Sequence, residues 1–267
     1  MSGDYNRADI RDVYRALGVE AGRVVYLTSD LGKLWRFAEP GKKAVLDAHL
    51  DVLMELLGPR GTLVVPTATS HLCNTEIPFD VDATPSQGVG ALSEHVRLLP
   101  GTLRSFHPFV SYAAHGAEAR AIIEDASRHA FGPFTPEARM IEAGALSISA
   151  GLPITHSVST VHQVEVTMAV PYRYTKEYLH PVVRKGELVI EPFYQHVWYR
   201  GSDVERSWNQ RIVARFASEH DVRKRQLGRG DVYAYEMRDF VKSAMRMFKD
   251  DPYIWCRFPP AIRPWQQ

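Results

Sequence analysis

The sequence predicts an α/β fold built on a mostly parallel central sheet with an appended β-hairpin, and three observations point there. The segments 23–27, 42–57 and 61–66 read strand, helix, strand, and a helical crossover of that length joins parallel strands. A small-residue run at 143–151, AGALSISAG, fits a buried strand that allows close backbone approach. A chain of 267 residues, 45% hydrophobic and 24% charged, with no low-complexity linker or internal repeat, matches one domain over 1–267 with a substantial core.

The elements follow in order. Asp9 to Leu17 reads as a helix because Ile10, Val13, Tyr14 and Leu17 share a face and Gly18 can end it. A strand is expected at Arg23–Leu27. The next helix, Lys42–Leu57, carries Val45, Leu46, Leu50, Leu53, Met54 and Leu57 and closes on Gly58-Pro59. Gly61–Pro66 reads as a buried strand, 88–98 as a short helical pattern, His107–Ala114 as a strand and Ala117–His129 as a helix. Residues 159–169 read as a helix, 181–200 as a hairpin turning at Lys185-Gly186-Glu187, and Met237–Phe248 as an amphipathic helix. The run Arg223-Lys224-Arg225 reads as a solvated face or loop.

Charge and composition narrow the function classes. A net charge of +1 gives no general field for holding nucleic acid, so no nucleic-acid partner is expected. No apolar run reaches the length of a membrane span, and the charged N-terminus lacks a signal-peptide core, so the expected setting is cytoplasmic with no membrane partner. Cys73 and Cys256 form neither a disulfide framework nor a CxxC pair, and a packing role is favoured over a nucleophile pairing Cys73 with His71. Despite eleven histidines, neither HExxH nor paired CxxC spacing occurs, and no metal is expected.

Two local patterns carry candidate chemistry. Thr160-Val161-His162-Gln163 has capping-box spacing, which sets His162 in the first turn of a helix with Glu165 on the same face three residues on. A carboxylate beside an imidazole fixes its tautomer and keeps it basic, as removal of a proton from an amine requires. Spacing alone favours a helical surface pair that contributes little. Gly88 and Gly90, with Ser86 before them, open a helix whose free N–H groups suit an anion, or form a simple glycine turn.

Taken together, these segments resemble the aminoglycoside 3-N-acetyltransferase family. The resemblance rests on Thr62-Leu63-Val64-Val65-Pro66-Thr67, on Phe79-Asp80 with Thr84-Pro85-Ser86 and Gly90-Ala91-Leu92-Ser93-Glu94, and on Pro100-Gly101 leading into Arg104-Ser105-Phe106-His107-Pro108. It continues through Phe131-Gly132-Pro133-Phe134 to His162 and Glu165, with order and spacing kept over roughly residues 20–175. The resemblance implies a three-layer α/β/α sandwich, an acyl-CoA co-substrate and direct transfer to an amine. It implies His162 as general base, Glu165 as its orienting carboxylate, Ser86 near the thioester sulfur and Glu94 in the same cleft. Coenzyme contacts are expected from Thr28, Ser29, Ser86, Gly88 and Gly90. His107 belongs to the Arg-Ser-x-His-Pro motif, as a structural support or a substrate contact.

Two departures from the family pattern bear on the substrates. A His-Ser-Ser-like loop after the first strand is replaced by Thr28-Ser29-Asp30. An acidic stretch found after the hairpin in drug-modifying members is replaced by Phe193-Tyr194-Gln195-His196-Val197-Trp198-Tyr199-Arg200, with the 181–200 hairpin expected to help form the acceptor pocket. Aromatic and basic groups suit a nucleobase and phosphates better than a polycation. The expected acceptor is therefore a nucleotide-linked amino sugar held by His71, His107, Arg173, Lys176, His196, Trp198, Tyr199 and Arg200; the alternative is an aminoglycoside, as in a resistance enzyme. The sequence is compatible with a homo-oligomer.

Overall fold

The computed structural model describes residues 3–157, 159–199 and 210–256. In chain order its elements are α1 (Arg7–Ala16), β1 (Val24–Ser29), α2 (Lys42–Leu57), β2 (Thr62–Pro66), α3 (Ala91–Arg97), β3 (Leu103–Arg104), β4 (Tyr112–Gly116), α4 (Ala119–Ile123), α5 (Pro136–Glu142), β5 (Leu146–Ala150), α6 (Ile154–Ser157), α7 (Thr160–Thr167), β6 (Arg173–Arg184), β7 (Glu187–Trp198), α8 (Gln210–Glu219), β8 (Arg223–Leu227), β9 (Gly230–Glu236) and α9 (Met237–Asp250).

Seven strands form one sheet in the order β3-β4-β2-β1-β5-β9-β8. Its centre, β2-β1-β5, is parallel, and pairing turns antiparallel towards both edges. Only β4 and β9 run against the rest, so five of the seven strands point the same way.

The central strands are buried along almost their whole length because both faces are covered, as expected of parallel strands sandwiched by helices. Val24, Tyr26 and Val64 face one way, into a core completed by α4, α5, α7, α8 and α9. Val25, Leu27, Leu63 and Val65 alternate to the other face and meet α1, α2 and α3. These are the three layers of an α/β/α sandwich.

The predicted hairpin is present but longer, with β6 starting at Arg173. Its turn is where the sequence places it: Lys185 and Gly186 both take positive φ, the backbone of a two-residue type I′ connection. The inner face of this ribbon packs Val182 and Phe193 on Leu72, Phe79 and Phe109.

Other boundaries differ for local reasons. The helix expected over 117–129 stops at Ile123, where Glu124 turns extended and Asp125 takes a φ of 50°; His129 then bridges to Tyr194 of β7. The strand expected over 107–114 begins only at Tyr112, because His107 shapes a turn by accepting the Phe109 and Val110 backbone N–H groups at Nδ1. Arg223-Lys224-Arg225 forms the edge strand β8, its solvated side chains paired with Glu236 and Asp231. No helix among the described residues is long and apolar enough to cross a membrane.

Candidate active site

A cleft of about 870 Å³ opens at the carboxyl ends of the parallel strands. That is where open α/β sheets bind ligands, because the connections there diverge and leave a crevice. Thr28 and Ser29 end β1, Pro66 ends β2, and Leu152 follows β5; all line the cleft. His162 reaches in from α7, and Arg173, Gln195, His196, Val197 and Trp198 close the far wall from the base of the hairpin. Tyr26, Asp30, Phe131, Tyr112 and Trp255 complete it.

The chemical centre is the pair on α7. His162 Nδ1 lies 2.7 Å from Glu165 Oε2, the contact that the i, i+3 spacing predicts. Glu165 is fully buried while His162 keeps 32% of its side-chain surface exposed. Burial alone pushes the Glu165 carboxyl up, but His162, Arg173 and Tyr172 together outweigh it and hold the carboxyl below its ordinary value. An ionised carboxylate only accepts hydrogen bonds, so Nδ1 is the donor and the neutral ring keeps Nε2 as a free acceptor. Phe131 and Trp255 flank the imidazole at ring distances of 5.2 and 5.7 Å.

The second carboxylate oxygen, Oε1, accepts from the Tyr172 hydroxyl at 2.8 Å and from Arg173 Nε at 2.9 Å. Arg173 also donates to the His196 carbonyl at 2.9 Å and stacks on the Trp198 ring, 4.2 Å from its centroid. Neither ring nitrogen of His196 has a hydrogen-bond partner among the described residues, and burial, with Arg173 adding to it, pushes that imidazole down to about 4. His196 is thus a neutral imidazole with both ring nitrogens buried.

Of the residues expected to contact coenzyme, Thr28, Ser29, Gly88 and Gly90 line the cleft. Gly90 is required there, since a Cβ would sit 2.2 Å from the Ser29 carbonyl oxygen and its φ is +91°. Ser86 and Glu94 do not line it. Ser86 donates its N–H (2.9 Å) and hydroxyl (2.7 Å) to Glu94 Oε2, and Arg97 clamps the same carboxylate through both oxygens. That network ties the loop before α3 to the helix and leaves the Ser86 hydroxyl engaged as a donor.

Among the expected acceptor contacts, Arg173, His196 and Trp198 reach the cleft. Lys176 lies over Tyr178 at 4.4 Å and Tyr199 packs on Tyr174 at 4.7 Å, both outside the lining. His71 is exposed on a short 3₁₀ turn away from it. His107 is buried outside the cleft lining, with its Nδ1 accepting from the Phe109 and Val110 backbone. Arg200 lies outside the described residues. Sequence reasoning missed Tyr26, Asp30, Gln195 and Trp255. Only Asp30 carried a signal, as the polar residue ending Thr28-Ser29-Asp30 at a strand's carboxyl end.

Comparison with known proteins agrees with this arrangement. The sequence model of the family described as aminoglycoside 3-N-acetyltransferase matches residues 29–249. Aminoglycoside N(3)-acetyltransferase IV from a Salmonella species is 28% identical over 265 residues, covering 97% of this chain and 93% of that protein. Among solved structures, aminoglycoside acetyltransferase AAC(3)-Xa superposes with a TM-score of 0.78 at 22% identity, covering 91% of this chain and 92% of that one. AAC-IIIb, in a binary complex with CoASH, gives 0.80 at 20% identity, covering 96% and 99%. With a match spanning most of its length, the chain belongs to the aminoglycoside 3-N-acetyltransferase family and is an acyl-CoA-dependent N-acyltransferase.

Proposed function

We propose that this enzyme acetylates an amino group of an aminoglycoside by direct transfer from acyl-CoA, with His162 as general base. The observation that carries the reading is the buried Glu165 carboxylate on His162 Nδ1, which selects the tautomer whose neutral ring keeps Nε2 as the acceptor, on a ring that lines the cleft. In the step itself the acceptor nitrogen bonds to the thioester carbonyl carbon as its proton passes to Nε2. The carbon–sulfur bond then breaks, and the proton held on the imidazolium neutralises the departing thiolate. Glu165 stabilises the imidazolium in between. Thr28, Ser29, Gly88 and Gly90 offer hydroxyls and backbone, with no bulky side chain, to the pantetheine arm.

The nucleotide-linked acceptor expected from the sequence loses its support. It relied on Arg200, Arg173 or Lys176 for two phosphates, yet Arg173 is committed to Glu165 and the His196 carbonyl, Lys176 lies outside the cleft lining, and Arg200 is outside the described residues. Relatives matched over most of this chain are aminoglycoside acetyltransferases by name. Asp30, which lines the cleft, instead offers a carboxylate to an ammonium group.

A thiol-release assay tests the reading, with acetyl-CoA and longer acyl-CoAs set against kanamycin-type drugs, gentamicin-type drugs and dTDP- or UDP-linked amino sugars. The drugs should turn over. His162→Ala should lower kcat by about 100-fold or more with acyl-CoA binding unchanged, the share typical of general-base catalysis. Turnover of nucleotide sugars alone, or an active His162→Ala enzyme, overturns it.

A further inference from the structure

We infer that Arg173 is a positioning residue of the transfer reaction, which through the shared carboxylate of Glu165 restrains protonation of His162 and ties the base to the acceptor wall. The inference rests on the assignment of His162 as base.

The geometry separates this role from substrate binding. Arg173 is only 7% exposed, its Nε–H is given to Glu165 Oε1, another N–H to the His196 carbonyl, and its plane lies on Trp198. His162 uses the other oxygen of the same carboxylate. The two cationic groups therefore compete for one negative charge. With a neutral imidazole, Glu165 and Arg173 cancel; with an imidazolium, the buried cluster carries a net positive charge.

Without Arg173, the buried carboxylate would keep only the Tyr172 hydroxyl beside His162 and would stabilise the imidazolium more strongly. A second cation beside the carboxylate opposes that state. The other ionisable groups facing the cluster do not replace it. His196 on β7 is neutral, Tyr172 donates as a neutral hydroxyl, burial pushes Cys256 up to about 12, and Asp251 and Arg211 pair with each other at 3.7 Å. Asp30 also lines the cleft, with no contact to Glu165 or Arg173 among the described hydrogen bonds and ion pairs.

The same contacts link catalysis to the acceptor wall. Arg173 begins β6 and grips the backbone of His196 in β7, so a substrate that displaces this part of the wall shifts the guanidinium against Glu165. A lysine would supply the charge but neither the fork nor the planar stack on Trp198.

The test uses the whole protein with Arg173→Gln, Arg173→Met and Arg173→Lys. Histidine-labelled enzyme is titrated by NMR without substrate, the His162 resonance being assigned by its loss in His162→Ala. The His162 midpoint should rise by about one pH unit or more in Arg173→Gln, roughly a tenfold change in the neutral fraction at a given pH. Arg173→Lys should keep it near the wild-type position. With acetyl-CoA and a drug that turns over, the acid limb of the kcat/KM profile should move by the same amount, and activity should recover at higher pH. If Arg173→Gln does not fold, Arg173→Met gives the same readout from an apolar side chain of similar length. A folded variant with an unmoved midpoint and a kcat lowered equally at every pH would leave Arg173 a packing residue and overturn the inference. An active His162→Ala enzyme would instead remove the base assignment, while the midpoint would still report whether Arg173 acts on His162.

Discussion

Replacing Glu165 with glutamine changes one heavy atom and should cost almost as much activity as removing His162. Tyr172 and Arg173 both donate to Oε1, so a glutamine must place its carbonyl oxygen there and turn its NH₂ towards His162 Nδ1. An NH₂ group can only donate. Nδ1 would have to accept, and the ring proton would move to Nε2, which removes the lone pair that receives the proton of the amine. Loss of the correct tautomer puts the expected fall in kcat at about 10²–10⁴-fold, larger than a mere loss of orientation would give. The variant should also be less stable, since the guanidinium of Arg173 keeps its hydrogen bond but loses its counter-charge. Breaking a buried pair costs about 3–5 kcal/mol, and the retained hydrogen bonds bring the estimate to about 2–3 kcal/mol. At about 2–4 °C per kcal/mol for a chain of this size, Tm should drop by roughly 4–12 °C. Steady-state thiol release at saturating acyl-CoA, alongside thermal unfolding, measures both quantities. A folded Glu165→Gln enzyme with kcat within tenfold of wild type would refute the tautomer argument. Adding His162→Ala to it should cost little more, because one broken unit cannot be broken twice.

Two further predictions follow from groups outside the dyad. Burial pushes Glu94 up, but the hydrogen bonds from Arg97 and Ser86 outweigh it and hold the carboxyl down to about 2, below its ordinary 4.5. A carboxyl depressed on folding stabilises the protein fully above about pH 4.5 and loses that contribution as pH falls towards 2. Glu94→Gln should therefore destabilise by about 1–2 kcal/mol at pH 7, with allowance for partial exposure, and the difference should shrink below pH 4; denaturant titrations giving a gap constant with pH would contradict it. Cys256, pushed up to about 12 by burial and then by Glu165, is a thiol at neutral pH and no nucleophile. Cys73→Ser and Cys256→Ser should stay active and initial-rate plots should intersect, whereas parallel lines or an acylated residue in the mass spectrum would indicate a ping-pong route.

The parts of the fold legible in the sequence are those whose pattern is local. The helix over Lys42–Leu57 and the Lys185-Gly186 turn were readable because a period or a backbone requirement lies within a few residues. His162 and Glu165 were readable for the same reason, being one helical turn apart. Strands β8 and β9 were not, because Arg223-Lys224-Arg225 is polar and becomes a strand only by pairing with β9 at the sheet edge. Arg173 was legible as a basic residue near the site but not in its role, since only folding brings β6 against α7. Lys176, three pairs away on the same ribbon, looks equivalent in sequence and lies outside the cleft lining. Trp255 carried no signal, its place beside His162 depending on how the chain returns after α9.

Two buried carboxylates show how the site divides its work. Glu137, on α5, accepts from Tyr112 at 2.7 Å and from Thr160 at 2.8 Å, and with hydroxyls alone for partners burial pushes its carboxyl up. Glu165, equally buried, is held down because His162 and Arg173 face it. Thr160 is the first residue of α7 and Tyr112 lines the cleft, so Glu137 fixes the helix that carries the base. Anchoring α7 through hydroxyls leaves the two cationic partners, His162 and Arg173, to Glu165, the charge His162 works against. Environment pushes the two carboxyls in opposite directions, and that difference separates the residue that holds the helix from the one that serves the chemistry.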